Sequence, residues 1–177
     1  YYGKKPLKDI SDLEGVKIRT QTSGVVADYW SSIGAVPTSV AWGELYQALQ
    51  QGVVDAAENA YPFFVQESHH KTRNGKFTTE TGHDYTTRFM LTNGEMFDSL
   101  SKEQQDIIME AAKMSVEAER EEVMSQEEEY KKVLKEEGGE VNQIDREPFI
   151  EAAMPIQNEY AEEYGVEDLL EKVRNLK

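Results

Sequence analysis

Apolar and polar positions follow two different periods in the first third of the chain. Short runs of β-prone residues stand between stretches in which apolar side chains recur every three or four positions. Because strands and helices alternate, we expect an α/β fold with short parallel strands and flanking helices. In chain order, the pattern predicts a strand at 16–20, a helix that starts at Ser23 or Gly24 and stops at Gly34, an extended segment at 37–40, a helix at 42–51 and a strand at 53–57.

The segments on either side of this passage are less regular. Residues 1–14 are predicted to form a connector, in which Ser11 and Glu14 have the spacing of a helix capping box. Residues 61–65 form an aromatic-rich turn or helix that a polar loop follows. Tyr85–Thr92 has the composition of a strand, with an apolar centre.

One long helix dominates the second half of the chain. Ser101 and Gln104 have capping-box spacing, and the helical pattern continues to about Glu137, where two glycines stop it. At 1.5 Å per residue such a helix is roughly 55 Å long. The Glu-rich run 117–129 is interpreted as its solvated face. Three further elements are predicted: a strand at 141–144, a helix from Asp145 to about Tyr164 that contains Pro155, and an amphipathic helix at 166–173.

Charge narrows the classes of partner. The chain has 177 residues, with 34 Asp and Glu against 19 Lys and Arg and a formal net charge of −15. A net negative charge of this size repels nucleic acid and anionic membranes, so we expect neither as a partner. It also repels an anionic ligand, which local donors must therefore hold at short range. The chain begins at Tyr1 instead of Met, so either a segment has been processed away or this is a piece of a longer protein, and we favour the second interpretation.

Catalytic chemistry has little support in the sequence. There are no cysteines, and no Gly-rich phosphate loop, nucleophile elbow or Ser-His-Asp pattern occurs. His69 and His70 are adjacent, so neither a helix nor a strand points them the same way, and with His83 they form a poor metal set. We therefore predict no enzyme activity, no cofactor and no metal.

Three side chains are candidates for binding a small anion. Arg19 and Asn59 stand near the C-terminal ends of two predicted strands, where open α/β sheets bind their ligands, and Trp42 starts the helix between them. An arginine grips a carboxylate through two parallel hydrogen bonds, and an asparagine offers a donor and an acceptor. A surface arginine, a turn asparagine and a core tryptophan are the plainer alternatives. Glu44 and Glu58 are possible further contacts, although neither position requires such a role.

Several motifs give the passage a family resemblance. They are LEGVKIR at 13–19, GAVPT at 34–38, AWGELY at 41–46, ALQQGVVD at 48–55, EN at 58–59, TGH at 81–83 and FDSLS at 97–101. In spacing and composition they resemble the solute-binding proteins of tripartite ATP-independent periplasmic (TRAP) transporters, the family named for its C4-dicarboxylate member. The likeness covers nearly the whole chain and is most specific in the first third.

The resemblance implies roles for the candidate residues. The arginine that matches Arg19 forms the main salt bridge to the ligand carboxylate, the asparagine that matches Asn59 adds a hydrogen bond, and the aromatic residue that matches Trp42 lines the pocket. The chain departs from the family in two places. Ala56 stands where the family usually has glycine, and Ala60 stands where it usually has proline. Arg19 is therefore better supported than Asn59.

The resemblance also implies a division of the chain. Residues 1–84 correspond to the α/β core of the second lobe of a periplasmic-binding-protein-like fold. Residues 85–124 cross as a strand and the start of the long helix toward an N-terminal lobe, and residues 125–177 return as the end of that helix and the C-terminal helices. The N-terminal lobe and a second ligand-binding arginine are expected upstream of Tyr1.

The function that follows from the resemblance is capture of a small organic acid in the periplasm, or outside the cell on a lipid anchor. The partners are then the acid, the missing lobe and the membrane subunits of the transporter. The alternative is an acidic interaction protein, in which the helix at 101–137 mediates assembly without a small-molecule ligand. A homodimer of the isolated piece is a further possibility, because the missing lobe leaves an apolar stripe exposed.

Overall fold

The fold is built on one mixed sheet. The computed structural model describes residues 1–21 and 24–176, so Ser23 as a possible helix start lies outside the described residues. The six strands pair in the order β3-β2-β4-β1-β5-β6. Their bounds are β1 Tyr2–Gly3, β2 Lys17–Thr20, β3 Val36–Ser39, β4 Ala56–Ala57, β5 Phe77–Glu80 and β6 Glu140–Gln143.

Five of these strands point the same way. β2 is parallel to both β3 and β4, and β5 is parallel to β6. β1 is antiparallel to β4 on one side and to β5 on the other, so β4 and β5 share a direction. The prediction of short parallel strands is therefore confirmed, and the carboxyl ends of five strands meet at one edge of the sheet.

Helices cover both faces of the sheet. The α-helices are α1 Gly24–Ser32, α2 Leu45–Gln51, α3 Tyr61–Gln66, α4 Gly94–Asp98, α5 Lys102–Glu136, α6 Glu147–Tyr164 and α7 Glu167–Arg174. Short 3-10 helices occupy Ile10–Leu13, Trp42–Glu44 and His69–Lys71. None of these helices is both long enough and apolar enough to cross a membrane.

Two apolar clusters form the core, one on each face. The first packs α1 and α6 on the sheet around Trp30 and Phe149, and the second packs α2, α3 and the end of α5 around Leu49 and Leu134. Successive residues of a strand point to opposite faces, so Ala56 belongs to the first cluster and its neighbour Ala57 to the second. Because of this alternation, the two-residue strand β4 contributes one side chain to each apolar cluster.

The interpretation of residues 1–14 as a connector is wrong. Tyr2 is fully buried, and β1 lies in the interior of the sheet between β4 and β5. The capping box here is also different from the expected pair, because the Asp9 side chain accepts from Ser11 N and Asp12 caps back in return. A strand of two residues is too short to give a period in the sequence, so only its partners reveal it.

The strand expected at Tyr85–Thr92 does not form. These residues have no regular structure, and Tyr85 and Leu91 are 92% and 85% exposed. An isolated strand leaves its backbone groups and apolar side chains without partners, and within 1–21 and 24–176 no strand lies beside this segment. The composition favoured a strand, but the pairing that a strand needs is absent from the described part of the chain.

The long helix agrees with its prediction. α5 is 35 residues long, and Ser101 and Gln104 form the capping box that the sequence indicates. Its C-terminal end packs into the core through Leu134, whereas Ile107 and Met114 in its first half are exposed. Pro155 lies inside α6 instead of ending it.

Candidate ligand-binding groove

The three candidate residues line one groove at the carboxyl edge of the sheet. Arg19 lies in β2, Trp42 follows β3, and Asn59 follows β4. All three border an open groove of ≈ 1290 Å³. The parallel arrangement of β2, β3 and β4 explains this convergence, because it brings the C-terminal ends of the three strands to the same edge.

Arg19 is a buried cation with an incomplete set of partners. Only 4% of the residue is exposed. Its Nε donates to the carbonyl oxygen of Val40 at 2.9 Å, and its guanidinium lies over the Trp42 ring at 5.5 Å from the centroid. Nη1 is buried and has no hydrogen-bond partner among the described residues. No carboxylate forms a salt bridge with Arg19 in that part of the chain.

Such an arrangement favours an anion. A buried polar hydrogen without an acceptor costs free energy, and a buried charge is normally paired. Two other buried nitrogens lack partners among the described residues, Trp30 Nε1 and His70 Nδ1, but neither belongs to a permanently charged group. Arg19 is therefore the position at which an anion in the groove would satisfy the protein best.

Asn59 offers its amide nitrogen. Its Oδ1 accepts a hydrogen bond from the backbone N–H of Ala60 at 2.8 Å, and within 1–21 and 24–176 its side-chain nitrogen has no protein acceptor. A proline at position 60 has no N–H to donate. Ala60 therefore engages the Asn59 oxygen in a way that a proline could not, while the amide hydrogens of Asn59 stay without an acceptor among the described residues.

An acidic group, Glu58, lies beside these residues. The Glu58 carboxylate is 3.2 Å from His83 Nε2, and His83 Nδ1 is 2.8 Å from Thr81 Oγ1. Because a carboxylate only accepts, Nε2 carries the hydrogen. Burial raises the pKa of Glu58, but the hydrogen bond and charge of His83, together with Arg19, outweigh burial and lower it. Glu58 was noted from the sequence as a possible contact, whereas His83 was considered there as a member of a poor metal set and as part of the TGH motif at 81–83.

His69 packs against Trp42. Its ring lies edge-on to the Trp42 ring at 5.0 Å, and its Nδ1 is 3.0 Å from the Tyr2 hydroxyl. Burial, with the charges of Arg19 and His70 as smaller causes, lowers the pKa of His69 to about 4. The imidazole is therefore neutral near pH 7, which keeps a second positive charge away from Arg19. His70 points elsewhere, toward Glu137 at the end of α5.

The groove is also lined by groups that the sequence did not single out. Tyr61, Glu80 and Arg146 line it, and the Arg146 Nε donates to the backbone oxygen of Glu80 at 3.3 Å. The Arg146 guanidinium packs on Gly82, where a Cβ would meet its Cζ at 2.9 Å. These residues are far apart in the chain and share no motif spacing, so only the fold brings them together.

Glu44 lies apart from this constellation. It is exposed in the 3-10 helix Trp42–Glu44, and it does not border the groove. Among residues 1–21 and 24–176, no group of three or more His, Asp or Glu side chains is arranged to hold a metal ion.

The fold and the groove define a class of protein, the solute-binding proteins. Residues 1–163 match the DctP family, described as bacterial extracellular solute-binding protein, family 7, and the chain belongs to that family. The family and its solved members are transport receptors and not enzymes, in agreement with the prediction from the sequence.

Individual relatives have similar lengths of match. A solute-binding protein of Verminephrobacter eiseniae is 30% identical over 173 residues, which cover 97% of this chain and 51% of the relative. The sialic acid-binding periplasmic protein SiaP of Vibrio cholerae is 30% identical over 161 residues, covering 91% of this chain and 50% of the relative. The chain thus spans about half the length of these curated relatives.

A solved structure extends the match to the fold. A TRAP periplasmic solute-binding protein from Xanthobacter autotrophicus Py2, with bound β-D-galacturonate, has a TM-score of 0.91 and 27% sequence identity. The alignment covers 99% of this chain and 58% of that protein. The α/β fold of a periplasmic-binding-protein lobe and the TRAP resemblance are thereby confirmed.

Proposed function

We propose that this chain forms one wall of the ligand site in a TRAP solute receptor that captures a small organic acid by its carboxylate. Arg19 is the anchor, Asn59 adds a hydrogen bond and Trp42 packs against the carbon skeleton. The observation that carries the proposal is the buried Arg19 Nη1, which lacks an acceptor among the described residues at the edge of the groove. A carboxylate supplies two acceptor oxygens in the geometry of a guanidinium.

Sugar acids are the ligand class that we favour. The Xanthobacter protein holds β-D-galacturonate and the Vibrio protein is named for sialic acid, and both ligands join one carboxylate to several hydroxyl groups. Glu58 borders the same groove and accepts hydrogen bonds from hydroxyls, whereas it repels a second carboxylate. A C4-dicarboxylate is the second candidate, held by the same anchor.

The remaining partners follow from the receptor role. An N-terminal lobe of the same protein supplies the opposite wall and closes over the acid, and the membrane subunits of a TRAP transporter receive it. Residues 85–124 cross toward that lobe. We place the receptor in the periplasm, since the family description and the names of relatives support that compartment and give no support to a lipid anchor.

Calorimetry on the full-length protein tests the anchor. D-galacturonate, D-glucuronate and succinate are titrated into the wild type, Arg19→Ala and the matched control Arg73→Ala, because Arg73 is exposed and does not border the groove. Loss of two charge-assisted hydrogen bonds is expected to weaken binding at least about 100-fold in Arg19→Ala. Arg73→Ala is expected to stay within about twofold of the wild type.

Each outcome has a definite meaning. A uronate that binds more tightly than succinate supports the sugar-acid class, and the reverse order favours a dicarboxylate. Unchanged affinity in Arg19→Ala contradicts the anchor. An absence of binding to all acids, together with an oligomer that is lost on deletion of 101–137, favours the assembly alternative.

The isolated chain is expected to behave differently from the whole receptor. With one wall of the cleft it should bind the acid weakly or not at all. Its exposed apolar residues, such as Phe89 and Leu91, are also expected to promote self-association. Sedimentation over a range of concentrations distinguishes a homodimer from a monomer.

A further inference from the structure

Lys131 on α5 is the centre of a charged cluster, and the cluster members Tyr61, Glu80 and Glu127 border the groove. Its Nζ lies 2.9 Å from Glu80, 2.8 Å from Glu127 and 3.2 Å from Glu128. The ammonium also lies over the Tyr61 ring, 5.4 Å from the centroid. Only 18% of the Lys131 side chain and 13% of the Glu80 side chain are exposed, so solvent screens their contact poorly.

The Glu80 carboxylate collects donors from three other elements. Tyr61 of α3 donates to Oε1 at 2.7 Å, Lys131 of α5 shares that oxygen, and Gln143 of β6 donates to Oε2 at 3.3 Å. Glu80 is itself the last residue of β5. One carboxylate thus joins a strand, its neighbouring strand and two helices.

The cluster is close in sequence to the binding residues. Tyr61 is separated from Asn59 by Ala60 alone, and Glu80 precedes the Thr81-Gly82-His83 segment. Both segments border the groove. A contact that holds Tyr61 and Glu80 therefore constrains the backbone that presents Asn59 on one side and His83 on the other.

The neighbouring lysine shows what an ordinary surface ion pair looks like on the same helix. Lys132 has 73% of its side chain exposed, and within the described residues it forms one ion pair, at 3.7 Å with Glu136. Exposed pairs of this kind contribute little. Lys131 differs in burial, in the number of acceptors and in its contact with an aromatic ring, and so a role beyond solubility fits it better.

We propose that Lys131 is a positioning residue for ligand capture, which acts through Glu80 and Tyr61 to hold the Asn59 and His83 segments in register with the long helix α5. The inference rests on the receptor function proposed above. Lys131 does not touch the ligand in this scheme. It couples α5 to two segments of the groove, so a displacement of the helix changes the position of both.

Hydrogen exchange on the full-length protein without ligand tests the coupling directly. Lys131→Met removes the charge and keeps a long apolar side chain, and Lys132→Met is the matched control. Backbone amides of 59–64 and 80–83 are expected to exchange faster in Lys131→Met than in the control. Faster exchange confined to α5 overturns the proposal.

Calorimetry with D-galacturonate measures the consequence for binding. Lys131→Met is expected to weaken affinity about threefold to tenfold, the range for residues that act at a distance, and Lys131→Arg is expected to restore it to within about twofold. In an Asn59→Ala background the additional effect of Lys131→Met should shrink, because both changes act on the same contact. A purely structural role lowers thermal stability equally in both backgrounds and leaves no such coupling.

The two proposals fail in different ways. If Arg19→Ala weakens binding and Lys131→Met does not, the positioning role is wrong and the receptor function stands. If no acid binds the wild type, the receptor function fails, and the exchange experiment alone decides whether Lys131 couples the segments. If Lys131→Met does not fold, Glu80→Gln replaces it, since it weakens the same acceptor and keeps the side-chain volume.

Discussion

Two strand ends at the same edge of the sheet carry charged side chains with little exposure to solvent, the buried Arg19 and the half-buried Glu80, and their partners differ. Arg19 in β2 makes one side-chain hydrogen bond, to a backbone carbonyl, and leaves Nη1 without a partner among the described residues. Glu80 at the end of β5 accepts from Tyr61, Lys131 and Gln143. The two groups share a position in the fold, and they differ in how far the protein itself satisfies them.

We propose that this difference separates a ligand-binding position, Arg19, from a structural one, Glu80. A folded chain stabilises a charge that is shielded from solvent by surrounding it with partners, as at the half-buried Glu80. Where a buried charge lacks such partners, as at Arg19, an anionic ligand would supply the missing acceptor. Strand ends at a sheet edge are therefore not equivalent, and the hydrogen-bond inventory identifies the one that is suited to a ligand.

The largest expected effect is on the pH dependence of stability, because the surroundings of Arg19 and of Glu80 lose stability in different pH ranges. The folded pKa of His69, beside Trp42 and Arg19, is about 4 against an ordinary value of 6.5. Because the unfolded chain binds this proton first, stability is lost as the pH falls from about 6.5 to 4, by roughly 3 kcal/mol. For Glu80, hydrogen bonds outweigh burial and lower the pKa, so its contribution is present above the ordinary value and lost only as the pH falls below it.

Urea unfolding across pH 3–8 measures these windows. His69→Gln is expected to flatten the slope of the unfolding free energy between about pH 6.5 and 4, and Glu80→Gln is expected to flatten only the more acidic part. If His69→Gln leaves the upper window unchanged, the imidazole is not held neutral by the fold, and this part of the comparison fails.

Substitution at the two strand ends is expected to affect stability differently. Glu80→Ala leaves Lys131 and the Tyr61 hydroxyl without their shared acceptor and should lower the unfolding free energy by about 2 kcal/mol. Arg19→Met removes a buried cation whose Nη1 has no acceptor among the described residues. In the absence of ligand it should leave the unfolding free energy unchanged or raise it. Equal destabilisation by both changes, measured by urea unfolding, would make Arg19 a structural residue.

Asn59 is expected to contribute less than Arg19. Asn59→Ala removes one neutral hydrogen bond to the ligand and should weaken binding of D-galacturonate about fivefold, or about 1 kcal/mol. Ala60→Pro is a sharper probe, because the φ of −75° at this position suits proline and only the N–H donor to Asn59 is lost. Calorimetry that finds Asn59→Ala as damaging as Arg19→Ala would contradict the ranking of the two residues.

The smallest change in unfolding free energy is expected for an exposed ion pair on α5, which serves as a reference for the less exposed groups. Lys102 and Asp106 on α5 are 2.6 Å apart, but 80% and 61% of their side chains are exposed. Asp106→Asn should change the unfolding free energy by less than about 0.5 kcal/mol. A change as large as that of Glu80→Ala would mean that burial does not distinguish the ion pairs of this protein.

Periodic and capped segments were predictable from sequence because their signals are local. α5 and its capping box at Ser101 and Gln104, the helix that follows Trp42, and the strand that contains Arg19 all agree with their predictions. Each depends on residues within a few positions of one another. Arg19, Trp42 and Asn59 also line one groove as expected, although their contact with a ligand stays a prediction.

Elements that depend on distant partners were not predictable in this way. β1 at Tyr2–Gly3 is too short to show a period, and it becomes a strand because β4 and β5 bond to it from both sides. Tyr85–Thr92 has the composition of a strand and forms none, because within the described residues nothing pairs with it. Strand formation requires a second chain segment, which composition does not reveal.

Local sequence patterns were enough to predict the α/β class and the long helix, and the motifs were enough to recognise the family. They also singled out Arg19, Trp42 and Asn59 as candidates, whose contact with a ligand stays a prediction. Which of the shielded charges have partners emerges only in the folded protein, since that depends on groups that meet from far apart in the chain. Arg19 lacks an acceptor on Nη1 within the described residues, and Lys131 reaches Glu80 across 51 positions. Local propensity acts through neighbours in sequence, whereas the satisfaction of a buried charge is a property of the whole fold.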